Sequence, residues 1–162
     1  MARGLRLWGG LILAWLALPA GAARPADAGP PPAVDLRAEA AQAVRNGGPL
    51  VVLFSRRDCA YCETVRSHYL LPLAADPRFR GRILVRQVDQ DSPAALTGFG
   101  GETTTHGAFA DREKIRLVPV VAFYGSGGRR LAEPIAGTRL ADFYQAYLEG
   151  AVESAMRQLR TP

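Results

Sequence analysis

The chain has 162 residues, 48% of them apolar and 22% charged, enough for one domain with a substantial core. Its 20 Lys and Arg against 15 Asp and Glu give a formal charge of +5. The basic residues are scattered, with no stripe and no interleaved aromatics, so the sequence argues against a nucleic-acid partner.

The chain opens with the pattern of an export signal. Met1 to Arg6 carries Arg3 and Arg6, and Leu7 to Leu18 is apolar apart from its glycines. Pro19-Ala20-Gly21-Ala22-Ala23 then offers small residues for cleavage after Ala22 or Ala23. The apolar run is shorter than the ~20 residues a membrane-spanning helix uses. The alternative is a signal retained as an anchor. Cleavage places a soluble protein, without stable membrane insertion, in the periplasm or an equivalent exported space. It also leaves 18 basic against 15 acidic residues. The division is therefore residues 1–23 as signal, 24–32 as a Pro/Ala/Gly-rich tether with nothing to bury, and 33–162 as one domain.

Within the domain, Val34 to Arg45 has Val34, Ala38, Ala41 and Val44 at helical spacing, and Asn46-Gly47-Gly48-Pro49 ends that helix. Leu50 to Phe54 is a continuous apolar run, as expected of a central strand buried on both faces. The only two cysteines follow, in Cys59-Ala60-Tyr61-Cys62. From Cys62, the residues Val65, Tyr69 and Leu73 keep helical spacing until Pro72 kinks or ends the helix. Asp76-Pro77-Arg78-Phe79 reads as a short turn. Ile83 to Val88 alternates as a second strand, and Gln90 to Thr105 reads as loop. Thr105 is positioned to cap a helix over Ala108 to Lys114. Val118 to Tyr124 is a third strand, interrupted early by Pro119. Gly125-Ser126-Gly127-Gly128 turns it into a fourth over Arg129 to Ala136. Leu140 to Leu159 closes the chain as an amphipathic helix. Strand–helix–strand implies a parallel pair with a right-handed crossover, and the late hairpin implies an antiparallel edge. The predicted architecture is α/β, a mixed central sheet flanked by helices on both faces.

Strand, loop, Cys-X-X-Cys, helix is the arrangement of a thiol–disulfide redox site. Residues three apart on a helix share a face, so the two sulfurs can meet. A helix start offers unpaired N–H groups and the positive end of the macrodipole, which favour a thiolate on Cys59. Cys62 is then placed to resolve a mixed disulfide. In an oxidising compartment the pair has a second reading as a structural staple, but a bridge closing so small a loop removes little unfolded-chain entropy. A third reading is a metal pair. Zinc needs four ligands, and the only histidines are His68 and His106. A soft Cu(I) ion between two thiolates is the remaining form of it.

From Ala33 to Leu159 the chain resembles the thioredoxin superfamily. The features that carry the resemblance are the Cys59–Cys62 motif after a buried strand, Val118-Pro119 before another, the Gly-rich hairpin and the closing helix. Cys59-Ala60-Tyr61-Cys62-Glu63, Leu71-Pro72-Leu73 and Asp76-Pro77-Arg78-Phe79 resemble more closely the exported thioredoxin-related proteins, among them the SoxW-type thioredoxins of bacterial sulfur oxidation. The resemblance implies a thioredoxin-like fold and thiol–disulfide exchange on protein substrates. It implies a membrane redox partner and no organic cofactor, since the cysteine pair carries the two electrons. It also implies a cis Pro119 facing the cysteines, with Val118 offering backbone to an extended substrate. Tyr61 is either a group that tunes the thiolate or an aromatic at the rim. Three positions depart from thioredoxin itself. Asp58 stands where Trp precedes the first cysteine, Ala60-Tyr61 stands for Gly-Pro, and Leu53 stands for a buried carboxylate that shuttles the second cysteine's proton. Two functions follow: an exported thiol–disulfide oxidoreductase, or a non-enzymatic Cu(I)-holding chaperone or adaptor on the same fold.

Overall fold

The computed structural model describes residues 29–138 and 141–161. The expected signal and most of the tether lie outside the described residues, as do Arg139 and Leu140. Among the described residues no helix is long and apolar enough to cross a membrane.

The elements, in chain order, are α1 (Leu36–Arg45), β1 (Leu50–Ser55), α2 (Ala60–Thr64), a π-helical stretch (Val65–Leu70), α3 (Leu71–Ala75), β2 (Leu84–Asp89), β3 (Ala95–Thr97), β4 (Thr103–Thr105), α4 (His106–Arg112), β5 (Val120–Tyr124), β6 (Arg130–Ala136) and α5 (Tyr144–Arg160). The main sheet has the order β2-β1-β5-β6, with β1 parallel to β2 and antiparallel to β5. Every residue of β1 is buried. Leu50, Val52 and Phe54 face one apolar cluster with α1 and α4, while Val51 and Leu53 face another with the helical run 60–75 and α5. Full burial of one such side chain is worth ~1.5–3 kcal/mol, so this strand anchors both layers.

Several expectations change in detail. In α1 the buried stripe is Leu36, Ala40 and Ala43, one position out of phase with the predicted one. Ala38 is exposed because the helix starts only after Asp35, whose carboxylate caps Ala38 N–H at 2.8 Å. Pro72 does not end its helix. An α-helix through it would set its ring against the His68 carbonyl. The chain instead widens into the π-helical stretch, with Leu71 N–H bonded to the Arg66 carbonyl, and runs on to Ala75. The stretch expected as loop from Gln90 to Thr105 contains the two-stranded sheet β3–β4. Its strands are three residues each, too short for alternation to register in the sequence. Thr105 does cap α4, accepting from Ala108 N–H at 3.2 Å, but the helix starts at His106 and ends at Arg112.

The stretch expected as a free tether is docked from Gly29 onward. Pro30 is buried, and Gln87 N–H donates to the Pro31 carbonyl at 3.0 Å. Ala33 N–H returns a bond to the Gln87 carbonyl at 2.8 Å. This strap covers the outer edge of β2. His106, buried at 2% exposure, continues the cover: its Nδ1 accepts from Asp89 N–H at 3.1 Å and its Nε2 meets the Ala33 carbonyl at 2.9 Å. Those two partners specify the neutral Nε2–H tautomer.

Arg78 joins the turn after α3 to α5, with Nη2 at 2.7 Å from both Asp76 Oδ2 and Glu149 Oε2. Hydrogen bonding to Arg78 holds the Asp76 carboxyl below its usual range. A bond from Gln145, then Arg78, does the same for Glu149.

Two predictions follow from these contacts. His106→Ala leaves a part-buried N–H and a buried carbonyl without partners and should lower unfolding stability by about 2 kcal/mol in urea titrations. Arg78→Gln should lower Tm at neutral pH. Carboxylates with depressed folded pKa values stabilise the fold above their unfolded values, near ~4, and lose that contribution as pH falls through the folded ones. The Tm gap between Arg78→Gln and the parent should therefore be full at pH 7 and close as the pH drops below ~4 in a thermal-melt series.

Candidate redox site

β1 ends at Ser55, and the chain reaches the cysteines through Arg56, Arg57 and Asp58. Asp91 holds this loop, accepting Arg57 N–H at 3.2 Å through Oδ2. Asp58 takes a left-handed φ of 53°, a conformation Asp tolerates better than most residues, and turns the chain into the helix. Cys59 is the N-cap of α2. Its sulfur accepts Cys62 N–H at 3.2 Å, and its carbonyl accepts Glu63 N–H at 3.1 Å.

Cys59 and Cys62 form a disulfide with their Cα atoms 5.2 Å apart. The two sulfurs are unequal. Cys62 is fully buried, one turn into the helix and against the core, whereas Cys59 is partly exposed at its start. Cys59 opens into a cleft of about 670 Å³. The cleft is lined by Arg56, Arg57 and Asp58 from the loop, Glu63 and Arg66 from the helical run, and Gln87, Asp89 and Asp91 from the end of β2 and beyond.

The other expected site residues do not line this cleft. Tyr61 stands at 68% exposure and does not line the cleft. Val118 is partly buried against the α1/α4 cluster. Pro119 is buried, and the Val118–Pro119 bond is cis. Its position follows from register. Val120 pairs with Phe54, so Pro119 sits at the end of the sheet from which β1 leaves for Cys59. The neighbouring Leu117 is 81% exposed. Leu53, which stands in place of a proton-shuttling carboxylate, is fully buried among apolar side chains.

Sequence reasoning passed over Arg66 and Gln87. Arg66 Nε donates to Gln87 Oε1 at 2.9 Å, Nη2 reaches Ser55 Oγ at 3.4 Å, and Nη1 pairs with Glu63. The available signal was spacing, since Arg66 follows Cys59 by seven residues and so falls on the same helical face. Gln87 had none, because the fold alone brings it under that helix.

The family described as thioredoxin-like domain matches residues 36–151, more than two thirds of the chain. Among solved structures, a thioredoxin-fold protein from Helicobacter pylori is 14% identical with a TM-score of 0.51, covering 71% of this chain and 81% of its own. Mitochondrial thioredoxin 3 from Saccharomyces cerevisiae, in its oxidised form, is 17% identical with a TM-score of 0.48, covering 75% and 93%. Thioredoxin O2 from Arabidopsis thaliana, also oxidised, is 17% identical with a TM-score of 0.48, covering 73% and 93%. No curated protein sequence matches the chain. At such identities the first neighbour speaks for the fold, and the match over residues 36–151 speaks for the family: the chain belongs to the thioredoxin-like domain family.

Proposed function

We propose that this protein is an exported, periplasmic thiol–disulfide oxidoreductase in which Cys59 is the attacking sulfur and Cys62 the resolving one. The class of reaction is that of a thioredoxin-like fold with a Cys-X-X-Cys pair acting on thiols or disulfides. One observation carries the division of labour. The disulfide joins a partly exposed sulfur at a helix start to a sulfur buried one turn in. Only the first is open to a macromolecular substrate, and the helix start favours its thiolate. In reduction of a substrate, the Cys59 thiolate attacks one sulfur of the disulfide and expels the other as a thiolate. The Cys62 thiolate then attacks Cys59, releases the second substrate sulfur, and leaves Cys59–Cys62 oxidised. Oxidation of a dithiol is the same sequence reversed. A membrane redox partner returns the pair to its starting state. Val118 and Pro119 supply backbone for an extended substrate beside Cys59, and Tyr61 contributes to the rim.

Export rests on the basic start, the apolar run and the small residues ending at Ala23. Cell fractionation of the full chain should recover a periplasmic form beginning at Ala23 or Arg24. A form in the membrane fraction beginning at Met1 would replace cleavage with anchoring.

The roles of the two sulfurs are separable. Cys62→Ser should accumulate substrates as mixed disulfides on Cys59, and Cys59→Ser should accumulate about tenfold fewer, one pKa unit being a factor of ten in thiolate. Non-reducing gels of extracts from each variant give the comparison. Equal adducts on both would overturn the assignment of roles. Adducts on neither would favour the Cu(I)-holding module.

A further inference from the structure

We propose that Arg66 is a positioning residue for exchange at Cys59, a cation clamped beside the cleft by the Gly29–Pro32 strap so as to favour the thiolate state of the pair; this rests on the reading of Cys59 as the attacking sulfur. Cys59, Glu63 and Arg66 follow one another at four and three residues along the helical run and line the same cleft. Three arginines line it, and they differ in how firmly they are held. Arg56 is exposed, and the Arg57 side chain is 78% exposed with its Asp91 partner at 4.0 Å. The Arg66 side chain is only 22% exposed and is held by Gln87, Ser55 and Glu63. A fixed, partly desolvated charge acts on its surroundings more strongly than a solvated one.

The cleft's acids offset Arg66 only in part. Asp91 accepts the Arg57 backbone N–H, and Asp89 accepts from the Gln87 side chain at 2.7 Å; both keep their charge, and neither bonds Arg66 directly. The Glu63 side chain is 61% exposed. Asp58, the fourth, is exposed as well.

The strap fixes Arg66 in two ways. Its backbone brackets Gln87, the residue whose side chain receives Arg66 Nε. Gly29 also lies over the aliphatic stem of Arg66, so closely that a Cβ at position 29 would overlap Arg66 Cγ and Cδ. The glycine lets the strap close on the arginine. The segment just outside the domain thus becomes part of the redox site.

The consequence is a bias in the dithiol–disulfide equilibrium. With glutathione disulfide as oxidant, the Cys59 thiolate attacks one glutathione sulfur and releases a glutathione thiolate. The Cys62 thiolate then displaces the second glutathione, so that two electrons pass from the pair to glutathione. The cation stabilises the thiolate of the reduced form and has no charge to stabilise in the disulfide. Arg66 therefore favours the reduced pair.

The test uses the full chain and its Arg66→Gln, Arg66→Lys and Gly29→Ala variants, equilibrated in glutathione buffers and alkylated across a pH series. R66Q should shift the equilibrium toward the disulfide by about three- to tenfold and move Cys59 alkylation to higher pH, a tenfold change being ~30 mV for this couple. R66K should restore most of the parental behaviour. G29A, which displaces the arginine without deleting it, should move both readouts the same way by less, and it serves where R66Q does not fold. If R66Q only lowers thermal stability, or R66K behaves like R66Q, the proposal is overturned. If the parental pair equilibrates normally and R66Q matches it, the proposal alone fails. If the parental pair does not equilibrate with glutathione, the oxidoreductase reading fails and takes this proposal with it.

Discussion

β1 is buried on both faces and paired along both edges, and the rest of the molecule is arranged by that fact. Residues 50–55 pair with 84–89 on one side, and residues 50–54 pair with 124–120 on the other. No water is left to solvate a polar side chain in the strand's apolar interior, so its residues there are Leu, Val and Phe, Leu53 among them. β5 shares this double burial, with Val121 and Phe123 in one apolar cluster and Val120, Ala122 and Tyr124 in the other. At the end of β1, chain emerging from the core lies beside the last residues of β2 and the first of β5. Cys59 comes four residues after that exit.

This exit gives the redox site two unlike flanks. Toward β2 lies the charged cleft with Arg66, Gln87 and Asp91. Toward β5 lies the cis Val118–Pro119 peptide, with Leu117 exposed just before it. On the proposed function, thiolate chemistry draws on the polar flank for charge, and an extended substrate draws on the β5 flank for backbone. The absence of a carboxylate at Leu53 fits the same division, with ionisable groups gathered outside the core around Cys59.

The sheet's two edges are closed by different means. On β2 the strap pairs through a carbonyl of Pro31 and an N–H of Ala33, while Pro31 and Pro32 have no N–H to offer a further strand. His106 extends that cover by one residue. On β6 the pairing with β5 is irregular between Val121 and Tyr124, and Pro134 falls in that stretch. A bulged, proline-bearing edge does not template another strand. Both edges stop propagation without burying charge.

Local chemistry made much of this readable in advance. The continuous apolar run of β1, the Asn-Gly-Gly-Pro stop after α1, the Thr105 cap and the Gly-rich hairpin each act over a few residues, so their meaning is present in the chain itself. The Cys-X-X-Cys pair is of this kind, since a separation of three residues across a helix start brings its sulfurs together. Other features depended on packing. The stripe α1 buries was decided by where Asp35 starts the helix. The widening before Pro72 was decided by the ring's conflict with a carbonyl four residues back. β3 and β4 exist because their backbones find each other and Val34, not because three-residue strands have a strong preference. Above all, Arg66 came to line the Cys59 cleft, and Gly29 to lie against its stem, only in the folded chain. Positions 29, 66 and 87 are far apart in sequence, and no periodicity links them. The sequence by itself thus determined the cysteine pair and the strand that delivers it; which charged groups surround the pair was decided by tertiary structure, because a Coulomb interaction depends on distance in space and on burial, neither of which is written in the order of residues.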